Sequence, residues 1–385
     1  MRRLNYLTLS LFLLFSSALK SKPILWEKGS YVINNFNSKN KREFSSYKDL
    51  SRKLTKKIRL VNHANIPSPI LEGKKLQATD LSFNLLRRRL ITSYTFSGAA
   101  KKGALQLSKI HTRGKASIRS EIIFKNSDIN AVHVEHGRVY FAGSDPKGSF
   151  FSYVKIKDDS FTELTAKIYL PGYVATDILV NHKKIFITTA NKGGVFSFTE
   201  DKADYNWFYK IPYARSLALN RFKREVHVIS GAPAKIYRLS KKGQLISVLN
   251  MEGAETPSSK SNIIINGRYS YATVGERGMH ILCKNKVIKT IESPSFIERP
   301  HIRPVINSTA ISGDLIFTAN GAAGFSIFKK ESKEILDRIR CKAPKIIKKA
   351  HVYFPRGASA NYVTTKANYI FIASGKAGVR IYKKK

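Results

Sequence analysis

Seven hairpins of one design recur about 40–50 residues apart, each set between two further short strands, and together they predict an all-β fold. That fold is a seven-bladed β-propeller of four-stranded blades, closed by an N-terminal strand. The hairpin is plainest in two near-copies, IFTANGAAGFSIFKK from Ile316 and IFIASGKAGVRIYKK from Ile370. Each reads as an apolar strand, a small-residue turn with two glycines, and a second apolar strand ending in lysines. Glycines suit the positive φ angles of tight turns, and period-2 alternation, as in Phe325, Ile327 and Phe328, marks half-buried strands. Units of this size cannot bury both sheet faces alone, so they stack radially.

Five weaker copies complete the set: ITSYTFSGAAKKGALQLSK from Ile91, VYFAGSDPKGSFFSYVK from Val139, IFITTANKGGVFSFT from Ile185, VHVISGAPAKIYRLSK from Val226 and YATVGERGMHILCK from Tyr271. A short inner strand precedes each hairpin, so blades start near 78, 129, 174, 214, 260, 307 and 359. An outer strand follows the first six: SIRSEIIF, ELTAKIYL, NWFYKIP, QLISVLN, KVIKTIE and ILDRIRC. The last unit stops after three strands at Tyr382, and KKIRLVNHANIP at 56–67 can supply its missing outer strand. That exchange would pin the termini together and remove an exposed edge.

Ahead of the propeller (56–385) lie two other segments. Residues 1–18 have the form of a signal peptide: Arg2 and Arg3, a short apolar core from Leu7 to Phe15, then Ser16 and Ala18 before the cut. The core is short for a membrane span, and an uncleaved anchor is the other reading. Residues 19–55 are basic, rich in Ser and Asn and without sustained period; they read as a flexible arm, either an anion-binding tail or a linker. The two cysteines, Cys283 and Cys341, are expected as buried, unpaired thiols.

The hairpin residues Ala319, Gly321 and Gly324, followed by Phe325-Ser326-Ile327-Phe328, resemble the LVIVD-repeat family of bacterial exported β-propellers. The likeness covers residues 78–385 and is carried by the blade hairpins. It implies a periplasmic, cell-surface or secreted repeat protein and brings no catalytic signature. Two hairpins depart from the pattern: the one at 226–241 lacks the second glycine, and Asp145-Pro146 is inserted in another turn.

Charge is the strongest functional signal. With 68 Lys+Arg against 26 Asp+Glu, the net charge of +42 should attract polyanions over about 8–10 Å at physiological salt. Compositional drift toward lysine is the alternative source of this excess. No nucleophile elbow, P-loop or H-E-x-x-H occurs. His133 and Glu135 share a strand face while His136 falls in a turn, too few for a metal site. Asp158-Asp159 reads as a solvated loop pair.

Two sets of residues are candidates for binding. Aligning the inner strands brings Asp80, Ala131, Asp177, Ser216, Asn262, Thr309 and Asn361 to one level, where the six polar ones would ring a channel mouth. They could hold a small ligand or a divalent cation, with Asp80 and Asp177 as its charged members. The same residue types also bond readily to nearby backbone where the chain enters a blade. The second set lies on two long connections, 292–308 and 341–359. These carry Arg299, His301, Arg303, Lys345, Lys348, Lys349 and Arg356, interleaved with Phe296, Tyr353 and Phe354. Expected on the mouth side, they suit an anionic polymer or a sugar-bearing ligand; two solvated insertions are the other reading.

The function expected from these features is that of an exported, non-enzymatic binding scaffold without a cofactor. Its partner would be an anionic envelope polymer, lipid or acidic protein; nucleic acid is disfavoured by the signal. The alternative is a propeller lyase or hydrolase using a divalent cation at the channel mouth.

Overall fold

The computed structural model describes residues 23–36, 42–45, 60–96, 98–112, 115–251, 260–294, 303–331 and 341–384. The signal-like segment 1–18 lies outside them, as do Phe296, Arg299 and His301.

Among the described residues every regular element is a strand, and pairing within each sheet is antiparallel. Four sheets have four strands each, opened by the inner strands Val174–Asn181, Ala214–Asn220, Ser261–Asn266 and Ser308–Ser312. A fifth sheet opens with Asp128–Glu135 and gains one short extra strand, Ile168–Leu170. The largest sheet joins the strands beginning at Gln77–Asn84 to those beginning at Ala358–Lys366 through a single Ala78–Gly375 pair. Its far edge is Leu60–Ile66, which pairs with the C-terminal strand Val379–Lys384. The inner strands touch one another in sequence order, and Ala358–Lys366 returns to touch Gln77–Asn84.

Hydrophobic clusters fill the spaces between successive sheets. One joins Phe317, Phe325 and Val352 to Val363, Ile370 and Tyr382. Another joins Ile66, Phe371 and Val379 to Leu81, Leu90 and Ile118. Alternation produces this arrangement, because each middle strand presents apolar residues to both neighbouring sheets. Phe325 and Ile327 face one way while Phe328 faces the other and packs with Tyr269 and Ile281.

The second glycine of the hairpin has a steric cause. A Cβ on Gly324 would lie 2.0 Å from the Val352 carbonyl oxygen, and one on Gly378 would lie 2.0 Å from that of Ile66. The outer strand passes too close for any side chain there. In the hairpin that lacks this glycine, Ala234 follows a cis Ala232–Pro233 peptide.

Four expectations need correction. Cys283 and Cys341 form a disulfide, with Cα atoms 5.7 Å apart and a sequence separation of 58. The outer strand beside Phe325–Glu331 is Lys345–Val352, not ILDRIRC, most of which lies outside the described residues. The 19–55 arm is partly structured: Tyr31–Asn35 and Arg42–Ser45 both pair with Lys115–Phe124. Within it, Trp26 covers the Lys167 ammonium at 4.0 Å from its ring centroid, and Asp145 holds that ammonium at 2.6 Å. Asp159 is not a solvated loop residue; it bonds Arg89 at 2.6 Å and Lys109 at 2.7 Å.

Candidate functional site

The antiparallel order of each sheet divides the molecule into two ends. Inner strands begin at the mouth end, which also receives the connections between sheets. The turns after the inner strands, such as Leu85–Arg88 and Arg221–Arg224, emerge at the opposite end.

At the mouth, a 240 Å³ cavity is lined by Asp80, Asp177, Ser216, Asn262 and Asn361, five of the six predicted residues. Thr309 does not line it; its hydroxyl turns back to donate to the Phe317 carbonyl at 3.0 Å. Arg215, Lys260 and Tyr362 are among the other lining residues. Sequence alignment of the strands passed over these three because each sits one residue beside, or just before, the aligned level.

The lining side chains mostly bind backbone across sheet junctions. Asp80 accepts from the Leu81 amide at 2.7 Å and, in the next sheet, from the Val132 amide at 2.9 Å. Asp177 accepts from Ile178 at 2.8 Å, and from the Ser216 hydroxyl and Leu217 amide at 2.7 and 2.9 Å. Asn361 donates to the Ala78 carbonyl at 2.8 Å, Asn130 to Ala175 at 3.2 Å and Thr176 to Ala214 at 2.9 Å. A β-bulge recurs here, between Ala78 and Asp80, Ile129 and Ala131, Ala175 and Asp177, and Ala214 and Ser216. The bulge frees one residue from the ladder and aims it at the neighbouring sheet. Arg215 is the exception, with its buried Nε unbonded.

Burial, and then the nearby Asp177 charge, push the Asp80 carboxyl up to about 8. Asp177 is raised too, by burial. Lys260 is open to channel water but surrounded by protein, which lowers its ammonium to about 8 against the pull of Asp80. Among the described residues no group of three or more His, Cys, Asp or Glu is placed to hold a metal ion. The mouth can accept a small polar molecule, and its two carboxylates already have most of their acceptor sites filled.

The described members of the loop set, Arg303, Lys345, Lys348, Lys349 and Arg356, are not brought together. Lys345, Lys348 and Lys349 lie on the outer strand, at the rim of the molecule rather than around the mouth. Lys345 lies 3.6 Å from Glu331, and Arg303 is bonded to Glu276 at 2.6 Å. Arg356 is exposed on a short connection.

The turn end is where cations stand unmatched. Arg87, Arg88, Lys183, Arg221, Lys223 and Arg224 are exposed on turns, and none makes an ion pair among the described residues. Several acids near them are engaged: Asp159 by Arg89, Glu200 and Asp201 by Arg138, Glu225 by Arg238. His133 lies inside this end, and burial, with help from Arg221 and Lys366, lowers its pKa to about 4. A 620 Å³ cleft opens on the same end between the Ala214 and Ser261 sheets.

No family model and no curated protein matches the chain. Among solved structures, the WD40 beta propeller domain of Doa1 aligns with a TM-score of 0.58 at 11% identity, covering 83% of this chain and 97% of that one. The computationally designed Ika8 protein aligns with a TM-score of 0.48 at 10% identity, over 81% of this chain and 98% of that one. The first likeness, with the radial succession of four-stranded sheets, identifies the fold as a β-propeller. At such identity it speaks for fold alone.

Proposed function

We propose that this chain is a seven-bladed β-propeller, closed by its N-terminal strand and exported, that serves as a non-enzymatic binding scaffold for an anionic surface, polymer or protein partner. The blade count is supported by the hydrophobic clusters, each shared by two successive sheets, and by the cyclic contact of inner strands. Closure is supported by the Leu60–Ile66 pairing with the last strand. Export is supported by the signal-like N-terminus and by a disulfide, a bond that persists in oxidising compartments. Kinship with the LVIVD-repeat family belongs to the same proposal and rests on the hairpin residues around Gly321 and Gly324.

The observation that carries the binding role is the turn end, where exposed arginines and lysines have no acidic partner among the described residues. Rigid hairpins hold these charges above a packed scaffold, so little ordering entropy opposes a polyanion. The enzyme alternative has less support, because Asp80 and Asp177 are bonded to backbone amides.

The test is retention of the protein on heparin and on phosphatidylglycerol vesicles at two salt concentrations. Binding should fall steeply with salt, and the R87Q/R88Q/R224Q variant should lose more of it than K345Q/K348Q/K349Q. Binding that ignores salt, or that only the second variant loses, overturns the assignment.

A further inference from the structure

The 620 Å³ cleft is built differently from the mouth. Its floor is apolar, formed by Ile236, Ile265, Leu282 and the Cys283–Cys341 disulfide. On one wall, Arg238 grips Glu225 through Nε and Nη2 at 2.8–3.1 Å, and His227 Nε2 lies 3.1 Å from the same carboxylate. Burial keeps His227 below its ordinary pKa, so near neutrality Arg238 is the one full charge matched to Glu225. The pairing fixes the guanidinium plane and leaves Nη1 outside the fork. At the rim, Lys223, Arg268 and Lys284 make no ion pair among the described residues. Beside them Phe222 is 91% exposed at the tip of its turn. An apolar floor under three unmatched cations has the character of a ligand pocket, and its size falls in the range of one small molecule.

We infer that this cleft binds an amphipathic anion: a phosphate monoester or carboxylate carried on an aliphatic chain. The headgroup sits among Lys223, Arg268 and Lys284, and the chain lies on Ile236, Ile265, Leu282 and the disulfide. Neither half suffices. A bare anion leaves the floor wet, and a neutral chain leaves the cations unmatched. Each methylene laid on the floor should improve affinity roughly fourfold. This ligand shares Lys223 with the polyanion face, and differs from a polyanion in needing the apolar floor as well as the cations.

Isothermal titration calorimetry of the full chain with dodecyl phosphate, below its critical micelle concentration, tests the inference. Dodecyl phosphate should bind at least roughly tenfold more tightly than inorganic phosphate or dodecanol, and decyl phosphate, two methylenes shorter, should bind roughly fifteenfold more weakly than dodecyl. Laurate in a parallel arm assigns the headgroup: binding by either amphiphile supports the site and names its source. K223Q/R268Q should weaken binding roughly tenfold with an unchanged melting temperature, since both side chains are exposed. Equal binding of inorganic phosphate and dodecyl phosphate, indifference to chain length, or parental affinity in the double variant would each overturn it. Heparin retention of the parental chain, measured in parallel, separates this outcome from a failure of the polyanion reading.

Discussion

The two ends of the propeller both carry polar side chains and use them in opposite ways. At the mouth, Asp80, Asp177, Thr176 and Asn361 bond to backbone of the adjoining sheet, so their polarity holds neighbouring sheets in register. At the turn end, Arg87, Arg88 and Arg224 are exposed and make no ion pair among the described residues. Polar residues on one level of a repeat are therefore not by themselves a binding site. What separates the two ends is whether donor and acceptor capacity remains after the scaffold is satisfied.

The largest test removes the strand Leu60–Ile66, which pairs with the C-terminal strand. Deleting residues 60–66 removes Leu60, Ala64 and Ile66 from the core and exposes the edge of Val379–Lys384. We expect a loss of roughly 4–7 kcal/mol from apolar burial alone, with collapse of the cooperative thermal transition. A parental melting temperature would show that the mouth bonds hold the ring without that strand.

The disulfide comes next, at the turn end. Closing a loop of 58 residues restricts the unfolded chain by roughly 4 kcal/mol, so the C283S/C341S variant should melt at a clearly lower temperature. An unchanged melting temperature would mean that the cleft floor is held by packing alone.

Third, D177A should cost roughly 2–3 kcal/mol, measured by denaturant unfolding. It strands the Leu217 amide and the Ser216 hydroxyl, whereas R87Q/R88Q should shift stability by less than about 0.5 kcal/mol. Similar effects from the two variants would erase the distinction between the ends.

The pH dependence is subtler. Asp80 titrates near 3.8 when unfolded and about 8 when folded, so between these values the native state holds the extra proton. The Asp80 contribution to stability should therefore fall as pH rises from about 4 to about 8, opposed below about pH 6.5 by His133, whose lowered pKa leaves the native state with fewer protons there. Lys260 is lowered from 10.5 to about 8, so above pH 8 the unfolded state holds more protons and stability should climb again. A minimum near pH 8, with its acid limb flattened in D80N, is the expected profile; a flat parental profile would place Asp80 in ordinary solvent.

Much of this was legible in the residues. The hairpins were readable because each carries its own turn chemistry, and the level shared by Asp80, Asp177 and Asn361 followed from aligning them. The sixth outer strand was misread because ILDRIRC alternates more cleanly than KIIKKAHV, yet the latter pairs with Phe325–Glu331. The arm looked structureless since Tyr31–Asn35 finds its partner some ninety positions away, on Lys115–Phe124.

Sequence alone, then, determined the repeat, its strand order and the excess of positive charge, because local periodicity and turn residues act over a few positions and charge is simply counted. The folded arrangement decided which polar groups are used up and which stay free. It paired Cys283 with Cys341, turned Thr309 away from the mouth and set Arg238 against Glu225. Each of these depends on two strands meeting in space, and a contact between strands leaves no periodic trace in either one.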